Sequence, residues 1–283
     1  MEGQMRKQYL SICSLILLLG SFSIANATVL TFNDFSDTSL LTLNGDAQTV
    51  TTSDGTVLRL TREQTYSHSV SGSAFSSVSI NASKFSTYFE FRITDPGGAT
   101  DGQDETGADG LVFVVQNVSS SIGGGGIGLG YSGISSSVGV EFDTWFNAGI
   151  DPSSNHIGID QNGSVDYNDG PTVNIDTHFD NGEIWYSWID YDGTDLEVRV
   201  STDGLRPTEA TISQSLDIAT ILGQDTAYVG FTSGTWSSWG NHDILNWEYR
   251  DEYNPIVPEP ATILLFGTGI VGLAASRIRR RKK

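Results

Sequence analysis

Hydrophobic and polar residues alternate along much of the chain with a period of two residues, which is the period of a β-strand. In residues 85–93, large apolar residues at most odd-numbered positions alternate with serine, tyrosine, glutamate and arginine, which predicts a strand with one buried face. Residues 188–191 and 196–200 lie on either side of Asp192-Gly193, a dipeptide that favours tight turns. These two segments are therefore predicted to form a β-hairpin.

Two further segments help to define the class of fold. Residues 111–115 form an uninterrupted apolar run, which predicts a strand covered on both faces. Residues 216–222 are the one segment whose pattern indicates a turn of helix. Glycine, serine, threonine, asparagine and aspartate fill the connections, as is typical of turns. Many short strands without a long helical period predict an all-β fold, built as a two-sheet sandwich.

Both ends of the 283-residue chain have the pattern of processing segments. Residues 1–27 combine a basic start, an apolar run and the small-residue sequence Ala25-Asn26-Ala27, which predicts a signal peptide cleaved after Ala27. At the other end, the apolar run 261–275 follows Pro258-Glu259-Pro260 and precedes an arginine-rich tail. A helix of this length spans about 22 Å, which is short for a hydrocarbon core of about 30 Å. The basic tail predicts a cytoplasmic C-terminus for such a marginal membrane anchor.

The charge distribution limits the classes of partner. The chain has 15 basic and 34 acidic residues and a net charge of −19, and the two ends hold more basic than acidic residues. The region between them is therefore strongly acidic, which argues against nucleic acid as a partner and favours divalent cations. The single cysteine, Cys13, lies in the predicted signal peptide. The domain between the ends thus has no disulfide and depends on core burial and bound metal for its stability.

Residues 137–160 contain a dense group of side chains that could bind metal ions. Glu141 and Asp143 follow an apolar run at positions i and i+2, so on a strand both carboxylates project from the same face. Turn-forming residues after them allow a loop to fold back over that face. Carboxylate and carbonyl oxygens suit calcium, whereas one imidazole among carboxylates suits manganese or a similar transition ion. The side chains predicted to share two such ions are Glu141, Asp143, Asn147, Asp151 and His156.

The order and spacing of these residues resemble the metal-binding loop of the legume-type (L-type) lectins. The resemblance implies that Asp143 and Asp151 bridge to Ca²⁺, which Asn147 and the backbone carbonyl of Trp145 complete. It also implies a second site, for Mn²⁺ or a similar transition ion, whose ligands are Glu141, Asp143, Asp151 and His156. The alternative is that these acidic residues only decorate a turn.

The resemblance extends over residues 28–256, which are predicted to form one L-type lectin domain. Residues 28–60 resemble the opening strand of the family, and residues 228–231 and 244–247 resemble its closing strands. The family implies a jelly-roll topology for the sandwich, the concanavalin A-like lectin/glucanase fold. It also implies metal-dependent binding of a carbohydrate, either a polysaccharide or a surface glycan.

Four loops of this family contact the sugar, and two of them precede the metal-binding residues here. Asp109, within Ala108-Asp109-Gly110, resembles the aspartate that follows a cis peptide bond and accepts hydrogen bonds from two sugar hydroxyls. Gly125, within the glycine run 123–126, resembles the backbone contact of the second loop, because glycine lets a ligand approach the backbone closely.

The other two loops follow in the chain. Asn147 is expected to bind calcium through its carbonyl oxygen and a sugar hydroxyl through its amide N–H. Phe146 is the expected apolar surface for the face of the pyranose ring. The fourth loop is expected at residues 232–241. Its candidate contact residues are Trp236, Ser237, Ser238 and Trp239.

Residues 257–283 resemble the PEP-CTERM sorting signal of Gram-negative bacteria, which comprises a Pro-Glu-Pro motif, a short transmembrane helix and an arginine-rich tail. The resemblance implies an exosortase as processing partner and a transient anchor in the inner membrane. It also implies release to the cell surface or the extracellular matrix. A tail anchor that is retained predicts the same orientation and is the alternative.

Two other functions stay open. Laminarinase-like glycoside hydrolases share this architecture, and their strand face commonly reads E-x-D-x-E, which supplies two catalytic carboxylates. Here Trp145 replaces the second glutamate, so the sequence predicts a binding protein without catalytic residues. The other alternative is a structural surface protein in which the metals only stabilise the fold.

Overall fold

The computed structural model describes residues 29–64, 68–103, 106–125 and 128–257. The predicted signal peptide and the part of the predicted sorting signal from Pro258 onwards lie outside the described residues. Within them the chain forms strands and one short helix. In chain order the elements are β1 (Val29–Phe32), β2 (Leu41–Gly45), β3 (Gln48–Thr52), β4 (Gly55–Thr61), β5 (Val70–Ser76), β6 (Ile80–Asn81), β7 (Phe85–Gly98), β8 (Gly110–Gln116), β9 (Ser137–Asp143), β10 (His156–Gln161), β11 (Thr172–Asn174), β12 (Trp185–Tyr191), β13 (Asp195–Ser201), β14 (Ile212–Ser215), α1 (Ile218–Leu222), β15 (Thr226–Thr235) and β16 (Ser238–Arg250).

The strands form two antiparallel sheets that pack face to face. The back sheet has the strand order β14-β13-β12-β7-β16-β4-β3, and β1 also pairs with β16. The front sheet has the order β11-β10-β9-β8-β15-β5-β2, and β6 also pairs with β15. Neighbours such as β7 and β16 are far apart in sequence, so the chain passes repeatedly from one sheet to the other. This is the two-sheet sandwich that the strand pattern predicted.

The predicted hairpin is present in the back sheet. β12 and β13 pair so that Tyr191 lies opposite Leu196. Asp192 stabilises the connecting turn, because its Oδ1 accepts hydrogen bonds from the backbone N–H groups of Thr194 and Asp195 at 2.8 and 2.9 Å. The predicted helical turn is also present as α1, with Asp217 as its N-cap.

The segment 28–60, which was expected to be one opening strand, contains the four short strands β1 to β4 instead. Gly45 and Gly55, at φ 64° and 105°, occupy the left-handed region at the turns that separate β2, β3 and β4. Glycine adopts such a φ without steric cost, so Gly45 and Gly55 allow the chain to turn between these short strands.

Aromatic rings fill the space between the sheets. The ring of Phe89, on β7 of the back sheet, lies 5.0 Å from Phe231 on β15 and 5.8 Å from Phe142 on β9, both edge to face. All three side chains are fully buried. Because Phe142 lies between Glu141 and Asp143, this packing fixes the strand that carries two of the predicted metal ligands.

A second apolar cluster covers the outer face of the front sheet. Val112 and Val114 project outward from β8 and pack against Phe75, Leu129 and Tyr131. The last two residues belong to the connection between β8 and β9, which therefore folds over the sheet. Both faces of β8 are buried, as the apolar run 111–115 predicted. The same connection carries the glycine run.

The last described residues lie against the outer face of the back sheet. Ile256 is 5% exposed and packs with Tyr88 and Trp188, and the N–H of Asn254 donates to Ser86 Oγ at 3.0 Å. The chain therefore leaves the domain on the side opposite the front sheet. In the described part of the chain, no helix is long and apolar enough to cross a membrane. The apolar run 261–275 lies outside that part.

Candidate metal centre and ligand site

The pairing of β9 and β10 brings the predicted metal ligands together. Phe142 on β9 and Ile157 on β10 face the core, so the residues next to them project from the outer face of the front sheet. In the antiparallel register Asp143 lies opposite His156. Glu141, two residues before Asp143, shares its face. The i and i+2 spacing of Glu141 and Asp143 therefore places both carboxylates on one face of the strand, as the sequence predicted.

Three of the predicted ligands form a compact, buried group. Ligand atoms of Glu141, Asp143 and His156 all lie within 4.8 Å of one another. His156 Nε2 lies 3.2 Å from Glu141 Oε1. Gly158, opposite Glu141, leaves room for this group, because a Cβ added there would lie 2.3 Å from Glu141 Oε1. One imidazole with two carboxylates is a ligand set suited to a transition ion.

The hydrogen bonds of His156 fit a cation at this position. Its Nδ1 lies 3.0 Å from the carbonyl oxygen of Ser153, which can only accept, so Nδ1 carries the ring proton. In the neutral ring, Nε2 then presents a lone pair to the Glu141 carboxylate, and two acceptors in contact need a proton or a metal ion between them. Among the described residues, Glu141 Oε2 is also buried without a hydrogen-bond partner. These side chains therefore fit a bound metal.

The connection between β9 and β10 folds back over the same face. The backbone N–H groups of Ile150 and Asp151 donate to the carbonyl oxygen of Asn147 at 2.9 and 3.0 Å, which closes a turn. The Asn147 N–H donates to Asp151 Oδ2 at 2.5 Å, and the Trp145 N–H donates to Asp143 Oδ1 at 2.7 Å. The turn thus returns a buried Asp151 towards the carboxylates of β9.

Burial of several carboxyl groups in one place raises their pKa values. Removal from water raises the pKa of Glu141 to about 8 and that of Asp151 to about 6. Burial, followed by repulsion from Asp151 and Glu141, holds the pKa of Asp143 well above its usual range. Burial also lowers the pKa of His156. A divalent cation favours the ionised carboxylates and the neutral imidazole, which are the forms that bind metal.

Asp160 is a further buried acidic residue at this site, and our sequence analysis did not identify it. It lies on β10 and projects from the same face as His156, with Gly158 between them. Burial, and then the charge of Glu141, raises the pKa of Asp160 well above its usual range. The signal in the sequence is the strand period of two, because Asp160 lies four residues after His156 and therefore on the same face of the strand.

A distant segment holds the metal-binding loop in place. Asp101 Oδ2 accepts a hydrogen bond from the N–H of Phe146 at 2.7 Å, and Gln103 Oε1 accepts one from the N–H of Ser154 at 3.2 Å. These partners are 45 and 51 residues apart in sequence. No local motif signals such contacts, so sequence reasoning missed both residues.

Asp109 lies beside the metal-binding residues. The Ala108–Asp109 peptide bond is cis, as the family resemblance implied. The Asp109 carbonyl accepts a hydrogen bond from the Thr144 N–H at 2.8 Å, and the Asp109 N–H donates to the Gly234 carbonyl at 3.3 Å. The residue after Asp109 pairs with Asp143 in the register of β8 and β9. Burial, and then the charge of Asp151, raises the pKa of Asp109 well above its usual range.

The residues that follow β9 form the rim next to Asp109. Trp145, Phe146 and Asn147 are all partly exposed, and they come directly after the Thr144 N–H that binds the Asp109 carbonyl. Phe146 and Asn147 are therefore two and three residues from the contact with Asp109, and their roles as sugar contacts stay predictions.

Gly125 lies on the connection that covers the front sheet. It is exposed, and no described atom lies within 4 Å of a Cβ added to it. The neighbouring Gly124 is held more tightly, because its N–H donates to the Gly130 carbonyl at 2.6 Å. The backbone of Gly125 is accessible to a ligand, and its role as a contact stays a prediction. Gly126 lies outside the described residues.

The prediction that residues 232–241 form the fourth loop is wrong for most of this range, which lies in strands. β15 ends at Thr235 and β16 begins at Ser238, so Trp236 and Ser237 alone connect the two strands. Trp236 is 51% exposed at the tip of this hairpin, and Ser237 is partly exposed. Ser238 is 1% exposed, and its hydroxyl lies 2.9 and 2.6 Å from the carbonyl oxygens of Gly97 and Ala99. This hydroxyl anchors the hairpin to β7, so we leave Ser238 out of the proposed sugar contacts.

The class of protein follows from comparison with known families. The profile of the family described as legume lectin domain matches residues 27–262, and the profile described as PEP-CTERM protein-sorting motif matches residues 257–281. The chain belongs to the legume lectin family.

Individual relatives agree with this assignment. The L-type lectin-domain containing receptor kinase VIII.1 of Arabidopsis thaliana is 33% identical over 254 residues, which cover 84% of this chain and 34% of the kinase. The match spans about a third of the length of this kinase and of the related receptor kinase VIII.2 of Arabidopsis thaliana. The lectin alpha chain of Lablab purpureus is 32% identical over 258 residues, which cover 84% of this chain and 86% of that protein. The relatives are thus lectins or receptor kinases that contain an L-type lectin domain.

Solved structures confirm the jelly-roll sandwich. The lectin UEA-II, complexed with galactose, has a TM-score of 0.62 and 28% identity, covering 79% of this chain and 98% of that chain. The basic winged bean lectin, complexed with Tn-antigen, has a TM-score of 0.63 and 28% identity, covering 80% of this chain and 98% of that chain.

Proposed function

We propose that the chain is a metal-dependent lectin that is exported and binds an extracellular polysaccharide or surface glycan. One observation carries the proposal: Glu141, Asp143 and His156 converge within 4.8 Å on the outer face of the front sheet, directly beside the loop of Asp109. A charged acceptor next to a metal centre is a means of binding vicinal sugar hydroxyls. Family membership supports carbohydrate binding in general.

Two metal ions are proposed for the centre. A transition ion such as Mn²⁺ would bind the carboxylates and the imidazole, and Ca²⁺ would bind the oxygen ligands of the loop. Either ion supplies positive charge that offsets the repulsion among the buried carboxylates. The proposed ligands are Glu141, Asp143, Asp151 and His156 for the first ion, and Asp143, Trp145 (carbonyl), Asn147 and Asp151 for the second.

The sugar is proposed to bind at the rim formed by the metal loop and its neighbours. Asp109 would accept hydrogen bonds from two hydroxyls, and the Asn147 side-chain amide and the Gly125 backbone N–H would donate. The partly exposed Phe146 ring would pack on the apolar face of the sugar. Ser237 and the exposed Trp236 would contact the sugar from the hairpin tip. Because two solved relatives at 28% identity are complexes with galactose and with Tn-antigen, galactosides are the first probes.

Export is proposed to follow from the two terminal segments. Residues 1–27 would be removed as a signal peptide, residues 28–256 would form the lectin domain, and residues 257–283 would direct recognition by an exosortase. The packing of Ile256 on the back sheet supports an orientation in which the front sheet faces away from the membrane during anchoring. The ligand site would then be accessible from the outside.

A glycan array distinguishes the three functions that the sequence left open. The protein is applied after loading with calcium and manganese, and again in EDTA. Reversible binding that is lost in EDTA supports the lectin, whereas turnover of a β-glucan supports a hydrolase. Lack of binding under both conditions, with normal folding, supports a structural protein and contradicts the proposed function.

A further inference from the structure

A series of buried hydrogen bonds connects the back sheet to the loop of Asp109. His242 Nδ1, on β16, lies 2.7 Å from Thr61 Oγ1 at the end of β4. Thr61 Oγ1 lies 3.1 Å from Ser233 Oγ on β15, and Ser233 Oγ donates to the Gly110 carbonyl oxygen at 2.7 Å. The three side chains are 0% exposed. The series thus crosses between the sheets and ends one residue after Asp109.

Proton counting gives every bond in this series a single direction. A carbonyl oxygen can only accept, so the one hydroxyl proton of Ser233 lies on the bond to Gly110. Ser233 Oγ must then accept from Thr61, which uses the one hydroxyl proton of Thr61. Thr61 Oγ1 must therefore accept from His242 Nδ1. The order of donation is His242, Thr61, Ser233 and Gly110.

The state of His242 agrees with this order. Burial, with a smaller contribution from the charge of Arg59, lowers the pKa of His242 to about 3 even though a hydrogen bond with the Gly240 backbone acts in the opposite direction, so the ring is neutral at physiological pH. A neutral ring has one N–H, which the series places on Nδ1. Among the described residues, Nε2 has no hydrogen-bond partner, as expected for the unprotonated nitrogen of this tautomer.

The series completes a set of three contacts around the Asp109 backbone. The Asp109 N–H donates to Gly234, and the Asp109 carbonyl accepts from Thr144. The Ser233 hydroxyl holds the carbonyl of the next residue, Gly110, and so fixes the orientation of the Gly110–Leu111 peptide, one peptide beyond Asp109. Two of these contacts come from adjacent residues of β15. A site that must present a carboxylate within a few tenths of an ångström depends on such supporting bonds.

We propose that His242, Thr61 and Ser233 are positioning residues, which hold the Asp109 loop in the conformation that binds sugar. The inference rests on the proposed function in one respect, namely that Asp109 contacts the sugar. The constraint on the loop itself does not depend on which ligand binds.

Hydrogen–deuterium exchange of the full chain, loaded with calcium and manganese, tests the constraint without a sugar. Thr61→Val removes the hydroxyl in a side chain of similar shape, and Ser233→Ala removes only the last hydroxyl if the first variant folds poorly. We expect the amides of Asp109 and Thr144 to exchange about tenfold faster in either variant, since loss of a buried bond exposes them more often. Thr61→Ser retains the hydroxyl and should restore the parent rate.

Thr87→Val is the matched control. Thr87 is also a buried threonine of the back sheet, where it accepts from Trp247 Nε1 at 2.9 Å and donates to the Glu248 carbonyl at 2.8 Å. It has no connection to the Asp109 loop through these bonds. Thr87→Val should lower the global stability of the domain. The exchange rates of the Asp109 and Thr144 amides should change no more than those of other amides in the front sheet. Equal exchange at Asp109 in Thr61→Val and Thr87→Val would overturn the inference.

Calorimetric titration with galactose then tests the consequence for binding. Thr61→Val and Ser233→Ala should weaken galactose binding about tenfold, whereas Thr61→Ser and Thr87→Val should bind like the parent. If galactose binding is unchanged in Thr61→Val, the positioning role is wrong. If the parent does not bind galactose, this galactoside form of the proposed function fails, and the exchange measurement still decides whether the series constrains the loop.

Discussion

Removal of the metals should reverse the pH dependence of folding stability between pH 6.5 and 8. The perturbation acts through Glu141, whose folded pKa of about 8 lies above its ordinary value of 4.5 because the side chain is buried. A raised carboxyl pKa means that the folded protein binds a proton which the unfolded chain has released. Its contribution to stability is fully present below pH 4.5 and is lost as the pH rises towards 8.

The magnitude follows from linkage. One extra proton on the folded state changes the free energy of unfolding by about 1.4 kcal/mol per pH unit. From pH 6.5 to 8 the metal-free protein should therefore lose about 2 kcal/mol, or about 4–8 °C in melting temperature for a domain of this size. The charge of Glu141 also raises the pKa of Asp160, so the two carboxyl groups titrate together and the loss belongs to the pair. Below pH 6.5 the buried His156 and His242 act in the opposite direction, because their pKa values are lowered.

The assay is thermal unfolding at several pH values in EDTA and with calcium plus manganese. With metals the trend should be opposite, since the ligands must be deprotonated to bind and metal affinity rises with pH. A ligand present at 100 times its Kd adds about 2.7 kcal/mol to the folded state. Glu141→Gln removes one of the titrating carboxyl groups and should therefore reduce the pH dependence in EDTA, while Asp143 and Asp160, whose pKa values are also raised, keep part of it. Stability that is the same with and without EDTA, or that rises with pH in EDTA, would refute the reasoning.

Three further predictions concern other parts of the chain. Trp236→Ala should weaken sugar binding several-fold by calorimetry while the melting temperature stays within about 2 °C, because the side chain is half exposed at a hairpin tip; unchanged affinity would place this hairpin outside the site. Phe89→Ala should destabilise the domain by about 3–5 kcal/mol in urea unfolding, because it removes the ring that contacts Phe231 and Phe142 across the sheets; a loss below 1 kcal/mol contradicts the packing described. Mass spectrometry of protein from the native host should find Thr28 as the first residue and a C-terminus near Pro258-Glu259-Pro260, and recovery of the intact arginine-rich tail in the secreted fraction contradicts the second cleavage.

Local periodicity was sufficient to predict the strands with strong patterns. The alternation in 85–93 and the Asp192-Gly193 turn correspond to β7 and to the β12–β13 hairpin. The same period of two put Glu141 and Asp143 on one face, and the turn residues after them returned Asp151 to that face. Each of these features depends on residues close together in sequence, which is why the sequence reveals them.

The features that the sequence did not reveal depend on contacts between distant segments. Asp101 meets Phe146 across 45 residues, and Thr61 meets His242 across 181 residues. The fourth loop was misjudged because pairing with the extended end of β7 continues β16 up to Ser238. Asp160 is different: its position in the period of two from His156 was visible in the sequence but was not used.

Asp109 is proposed to bind the sugar directly, next to the metal centre, without being a ligand of either metal ion. The most direct test of this claim is calorimetric titration of the metal-loaded parent, Asp109→Ala and Asp143→Ala with the tightest ligand from the glycan array. Hydrogen bonds to a charged group contribute about 1.5–3 kcal/mol each, so Asp109→Ala should lose at least about tenfold in affinity while it retains its fold and metal content. Asp143→Ala should lose metal, stability and sugar binding together. If Asp109→Ala binds the glycan as tightly as the parent, the sugar binds elsewhere and the proposed site is wrong.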